Sequence, residues 1–162
     1  MTPKIQIRCV GTLSEPWQRQ AIHMYVERYR PFGSIEILEV PEGHKGSSKP
    51  DLAKTLKAEA QSLLKNLPSN TFLIALDQTG QGLTSEDLAR LLNGSHPQFV
   101  IGNLSFVIVI GGSWGLDETV KKQANLTISL GKITLPHSLA RIVLLEQLYR
   151  AQTIIHGKKY HK

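Results

Sequence analysis

LSFVIVIGG, residues 104–112, decides how this chain reads. A continuous apolar run rich in β-branched residues offers no polar face to water. It therefore belongs to a strand covered on both sides, as in the middle of a parallel sheet. Gly111-Gly112 closes the run, and FLIALD at 72–77 repeats the pattern. Outward from these two, strands are predicted over Ile5–Val10, Ile35–Val40 and Leu126–Leu130. Helical spacing runs from Glu15 to Arg30 ahead of Pro31, from an Asp51 cap to about Leu67, and from Thr84 to about Asn93. A short helix starts near Asp117, and a long one runs from about Ser138 to Ile155. Strands alternating with helices give an α/β fold: one domain, residues 1–162, with a largely parallel sheet flanked by helices.

A single cysteine, Cys9, excludes an internal disulfide, and its apolar run predicts a buried, inert thiol. The chain opens without a basic-plus-apolar leader, and no apolar stretch approaches the ~20 residues of a membrane span, so a cytoplasmic protein is expected. Charge is segregated. Residues 1–87 hold ten Lys/Arg and ten Asp/Glu, whereas residues 88–162 hold nine against three, so the whole net charge of +6 lies in the second half. Charge of one sign gathered in one region suits a phosphate-bearing partner, although solubility alone also explains an excess of cations.

Parallel sheets bind ligands beyond the carboxyl ends of their strands. Three such ends carry distinctive loops: Leu76–Gly80, Gly111–Gly115 and Leu130–Leu135. A dinucleotide fingerprint fails there, because aligning Gly112 and Gly115 puts Ile110 at the first glycine position. No P-loop, GxSxG elbow or zinc-like Cys/His spacing is present, so no metal is expected. Two readings of Gly111-Gly112 stand: a tight turn needed for packing, or side-chain-free backbone against which a flat ligand lies. With Gly131 the loops suggest a cleft of backbone polar groups and apolar walls, suited to a neutral purine with a small polar tail.

Three further segments carry alternatives. Residues 41–50, PEGHKGSSKP, read as a surface loop or as an RNA-contacting lid. The closing helix is apolar on more than one stripe, so it is either core or a dimer interface. Its polar members Arg141, Glu146 and Arg150 pair internally or face a partner or RNA. The ending HGKKYHK, 156–162, is a frayed tail or a cluster of cations, aromatic and imidazoles fit to hold one nucleotide.

IGGSWGLD (110–117), LPH (135–137), LLEQLYRA (144–151) and the terminal YHK, with IRCVG (7–11) and ALD (75–77), resemble the ribosomal RNA large subunit methyltransferase H family. The resemblance runs nearly end to end. It implies the SPOUT methyltransferase fold, with a trefoil knot in the region of about 72–155. It further implies a homodimer that uses S-adenosyl-L-methionine to methylate N3 of a pseudouridine in large-subunit ribosomal RNA. Carried over by motif, Leu76, Gly111 and Gly112 with Leu130, Gly131, Lys132, Ile133, Thr134 and Leu135 hold the cofactor. His161 accepts the proton or partners the anion, Tyr160 positions the base, and Arg141 or Arg150 holds phosphate. Lys162 stands where an arginine is frequent in relatives and lacks its bidentate fork.

A chain of this size has no separate RNA-recognition domain, so the assembled ribosome is the expected recognition surface, with free rRNA as the other possibility. Three alternatives stand: a related knotted enzyme acting on tRNA or another rRNA position, a non-catalytic ribosome-binding module of the same fold, and a nucleotide-binding regulatory dimer, for which the basic tail has no evident use.

Overall fold

The computed structural model describes residues 4–44, 46–97 and 105–162. Leu104 and Lys45, which fall within the strand and loop read from sequence, lie outside the described residues. Five strands form one sheet: β1 (Lys4–Val10), β2 (Ile35–Val40), β3 (Thr71–Gly82), β4 (Ser105–Ile110) and β5 (Leu126–Ser129), in the order β2-β1-β4-β3-β5. Every pairing is parallel. The helices are α1 (Pro16–Tyr29), α2 (Leu52–Leu64), α3 (Ser85–Leu92), α4 (Glu118–Gln123) and α5 (His137–Ile155), and a 3₁₀ turn over Arg30–Phe32 follows α1.

Strand alternation splits the core in two. Phe72, Ile74, Phe106, Ile108 and Ile110 point to one face, where α1, α3 and α5 pack with Tyr29, Leu88, Leu144 and Leu148. Leu73, Ala75, Val107 and Val109 point to the other, against Ala60 and Leu63 of α2 and Val120 of α4. Cys9 is fully buried as expected, and burial pushes its thiol up to about 12. Arg8 is buried on β1, where its guanidinium donates to the carbonyls of Leu63 (2.8 Å), Lys65 (2.6 Å) and Asn66 (3.1 Å). These are carbonyls that the end of α2 leaves without helical partners.

Helix α5 is covered by the sheet and flanked by α1 and α3, and none of its residues is fully exposed. Its broad apolar surface is therefore largely spent inside this chain, with Leu139, Ile142 and Val143 only partly covered. No helix among the described residues is long and apolar enough to cross a membrane.

The main departure from expectation is β3. It continues to Gly82 rather than ending at Asp77. Ile128 of β5 pairs with Leu76 and again with Gln81, so residues 77–80 bow out of the sheet and return. A Cβ on Gly80 would stand 2.5 Å from the Ile128 carbonyl carbon, which only glycine avoids.

Candidate active site

The three strand-end loops converge. Leu76, the 110–116 turn and the 129–135 segment wall a cleft of about 530 Å³, with His137 and Ala140 of α5 at its back. Eight of the nine residues expected to hold a cofactor line it: Leu76, Gly111, Gly112, Leu130, Gly131, Ile133, Thr134 and Leu135. Lys132 does not. Its side chain is exposed, and only its carbonyl turns inward, accepting from Gln78 Nε2 at 3.4 Å.

The glycine pair works differently from the ligand-facing reading. A Cβ on Gly111 would meet the Gly115 carbonyl oxygen at 2.3 Å, and one on Gly112 would meet Val10 Cγ1 at 3.0 Å. Both directions lead into protein, so the pair serves the tight turn that closes when Gly115 N–H donates to the Gly112 carbonyl (3.1 Å). The pair borders the cleft only through its main chain. Gly131 (φ +131°) and Gly115 (φ +81°) have open space where a Cβ would be, so they are positions that keep a wall bare.

Several cleft residues lie outside the nine expected to hold the cofactor. Asp77 and Lys121 face each other with Nζ 3.9 Å from Oδ2, and they form a charged wall in an otherwise neutral cavity. The Asp77 carboxylate also accepts from the Thr79 N–H (2.9 Å) and hydroxyl, which shapes the outward bow. Lys121 reaches the site from α4, and its hydrogen bond to Glu118 (2.5 Å) raises its pKa. Gln78 donates to Thr134 Oγ1 at 2.6 Å and so ties the first loop to the third. Adjacency to Leu76 was the available signal for Asp77 and Gln78; nothing in the sequence marks Lys121. His137, the first residue of α5, lines the cleft, and burial first and Arg141 second lower its pKa and favour neutral imidazole.

Arg141 is not available to phosphate. It is 1% exposed, and its guanidinium donates to Glu39 Oε1 (2.6 Å) and to the carbonyls of Val10 (3.0 Å) and Gly11 (2.7 Å). Placed one turn beyond His137, it clamps the ends of β1 and β2, so of the two readings open for this charge the internal one holds.

Arg150, Tyr160 and His161 do come together, but along α5 and α3 rather than in the cleft. The Tyr160 hydroxyl donates to Glu146 Oε1 (3.0 Å), its ring meets Tyr149 edge-on (4.9 Å), and the Arg150 guanidinium lies 4.7 Å over it. Burial, reinforced by Glu146, pushes the Tyr160 phenol up to about 12, so it is a neutral donor. His161 Nε2 sits 2.8 Å from Glu86 Oε1. The tail is thus docked, not frayed, and neither Tyr160 nor His161 lines the cleft of its own chain. Among the described residues no group of three His, Cys, Asp or Glu is placed to hold a metal ion.

Comparison with known proteins agrees with this architecture. A family model described as predicted SPOUT methyltransferase matches residues 3–161. A protein of Caldicellulosiruptor saccharolyticus named ribosomal RNA large subunit methyltransferase H is 39% identical over 158 residues, 98% of this chain and 99% of its own length. Among solved structures, a probable methylase family protein from Haemophilus influenzae Rd KW20 superimposes with a TM-score of 0.53 over all of this chain and 72% of its own. At 14% identity that likeness speaks for the fold alone. Matched by the family model over nearly its whole length, the chain belongs to the SPOUT methyltransferase family.

Proposed function

We propose that this protein methylates N3 of a pseudouridine in large-subunit ribosomal RNA, with S-adenosyl-L-methionine as donor, working as a homodimer on the assembled ribosome. The observation that carries the reading is the single cleft formed where the main chain of three parallel strand ends meets, in a chain of this family. The relative from Caldicellulosiruptor supports the class of RNA.

The cavity fits the donor. About 530 Å³ lies within the range of small-molecule sites. Neutral loop backbone suits adenine and ribose, and a cationic glycine loop for a triphosphate is missing from the lining. Asp77 and Lys121 offer an anion and a cation to the ammonium and carboxylate of a zwitterionic amino-acid end. Leu76, Leu130 and Leu135 supply apolar walls that exclude water. When bound, the donor supplies an electrophilic methyl on a sulfonium.

This chain's own work is to prepare the acceptor. The N3 proton of the base must leave before the nitrogen becomes a competent nucleophile. We assign its uptake to the imidazole of His161, with Tyr160 positioning the base and Arg150 holding phosphate. Because His161 is paired with Glu86 in its own chain, that role requires the tail to be released or supplied by a second subunit. Leu139, Ile142 and Val143, partly open on α5, support a two-fold assembly. The trefoil knot that the resemblance implies is proposed for the C-terminal region.

The test is methyl incorporation from labelled donor into naked rRNA, free large subunits and whole ribosomes, with the modified nucleotide mapped. Label at N3 of one pseudouridine, strongest on assembled particles, supports the reading. Label in tRNA or at another position reassigns the target. Donor binding without transfer to any RNA overturns the enzymatic reading.

A further inference from the structure

Among the described residues, the lips of the cleft carry two large apolar side chains left mostly exposed. Trp114 is 56% exposed and Ile133 is 81% exposed, and both line the cavity from different loops. Trp114 sits at a corner of the 112–115 turn. Closure of that turn by Gly115 N–H on the Gly112 carbonyl, and the 2.3 Å approach that bars a Cβ at Gly111, fix the backbone beneath it. The indole is therefore presented outward from a rigid support. An exposed tryptophan on a rigid turn forgoes the burial that so large a ring gains elsewhere.

We propose that Trp114 is the stacking platform for the acceptor nucleobase, with Ile133 closing on its other face. This rests on the methyltransferase reading of the cleft. A base held in a folded RNA must be turned out of its stack to reach a methyl donor in a cavity, and proteins hold such bases between aromatic and apolar side chains. The occupant follows from continuity with the cleft: a group held between these lips would stand at the mouth of the cavity proposed for the donor. The neighbouring charge agrees, since Lys132 beside Ile133 is exposed and cationic, ready for the phosphate of an extruded nucleotide.

The experiment compares the wild type with W114A and W114F. It measures kcat/KM for large ribosomal subunits, donor affinity by calorimetry, and mass in solution. Stacking predicts a loss of about five- to a hundredfold in kcat/KM for W114A, recovery to within about threefold in W114F, and unchanged donor affinity and mass. In a W17F background, Trp114 fluorescence is quenched by a synthetic RNA hairpin carrying pseudouridine in its loop. Equal kcat/KM in W114A, a parallel collapse of donor affinity, or a change of mass would each overturn the platform. If the wild type methylates no large subunit, the function reading fails instead. Quenching by hairpin or tRNA then still decides whether Trp114 receives a base.

Discussion

Gly80 and Ile128 touch through their backbones, with the space for a Cβ on Gly80 taken by the Ile128 carbonyl carbon 2.5 Å away. The contact holds the 77–80 bow around β5, and with it Asp77 and Gln78 at the cleft. Gly80→Ala must push two main chains apart, and overpacking of this kind costs about 1–3 kcal/mol. Gly82→Ala, two residues on, meets nothing within 4 Å and should change stability by less than about 0.5 kcal/mol. Urea unfolding of the two variants checks the contrast, and donor binding should weaken only in Gly80→Ala.

Arg141→Ala should unfold the protein more readily by about 3 kcal/mol. The Glu39 carboxylate and two strand-end carbonyls, at Val10 and Gly11, lose a buried cation at once. Arg150→Ala removes an i,i+4 pair with Glu146 near the surface, where about 0.5 kcal/mol is at stake. If Arg141 instead held phosphate, its loss would flatten the salt dependence of RNA binding and leave the urea midpoint in place.

Stability should fall as the medium is acidified below about pH 6.5, the ordinary value for histidine. His137 is held below that value by burial and by Arg141. Between its folded and unfolded values the unfolded chain binds the proton and the native one does not, so stability rises with pH across that window. Above it both states are neutral and the contribution is constant. Urea midpoints from pH 5 to 7.5 should show this slope in the wild type and a shallower one in His137→Asn.

These cases mark how far the sequence could be read. Apolar runs at 72–77 and 104–110 carried the buried strands, and the loops after them carried the cleft, because parallel strands put their ligands at one end. The bow in β3 was illegible: Gln78–Gly82 has no apolar alternation, and its strand state comes from edge pairing with β5. Arg141 stayed open between internal pairing and a partner or RNA, because a charge in an apolar helix looks the same whether it meets a partner or its own strand ends. Gly111 stayed open between a packing turn and ligand space because sequence shows a missing side chain but not the direction in which it is missing; the structure gives the turn.

His161 supplies the sharpest separation of binding from chemistry. Its ring stands beside Glu86 and away from the cleft of its own chain, so His161→Ala should leave calorimetric donor affinity unchanged. If the imidazole takes the acceptor's proton, single-turnover methylation should fall by about 10²- to 10⁴-fold, the usual worth of a positioned base. Glu86→Gln weakens only the docked position of the tail, since the carboxylate that meets Nε2 loses its charge while the imidazole remains. Turnover in that variant should therefore hold or rise. Equal losses in both variants would mean that the docked pair itself, and not a released imidazole, is what catalysis uses.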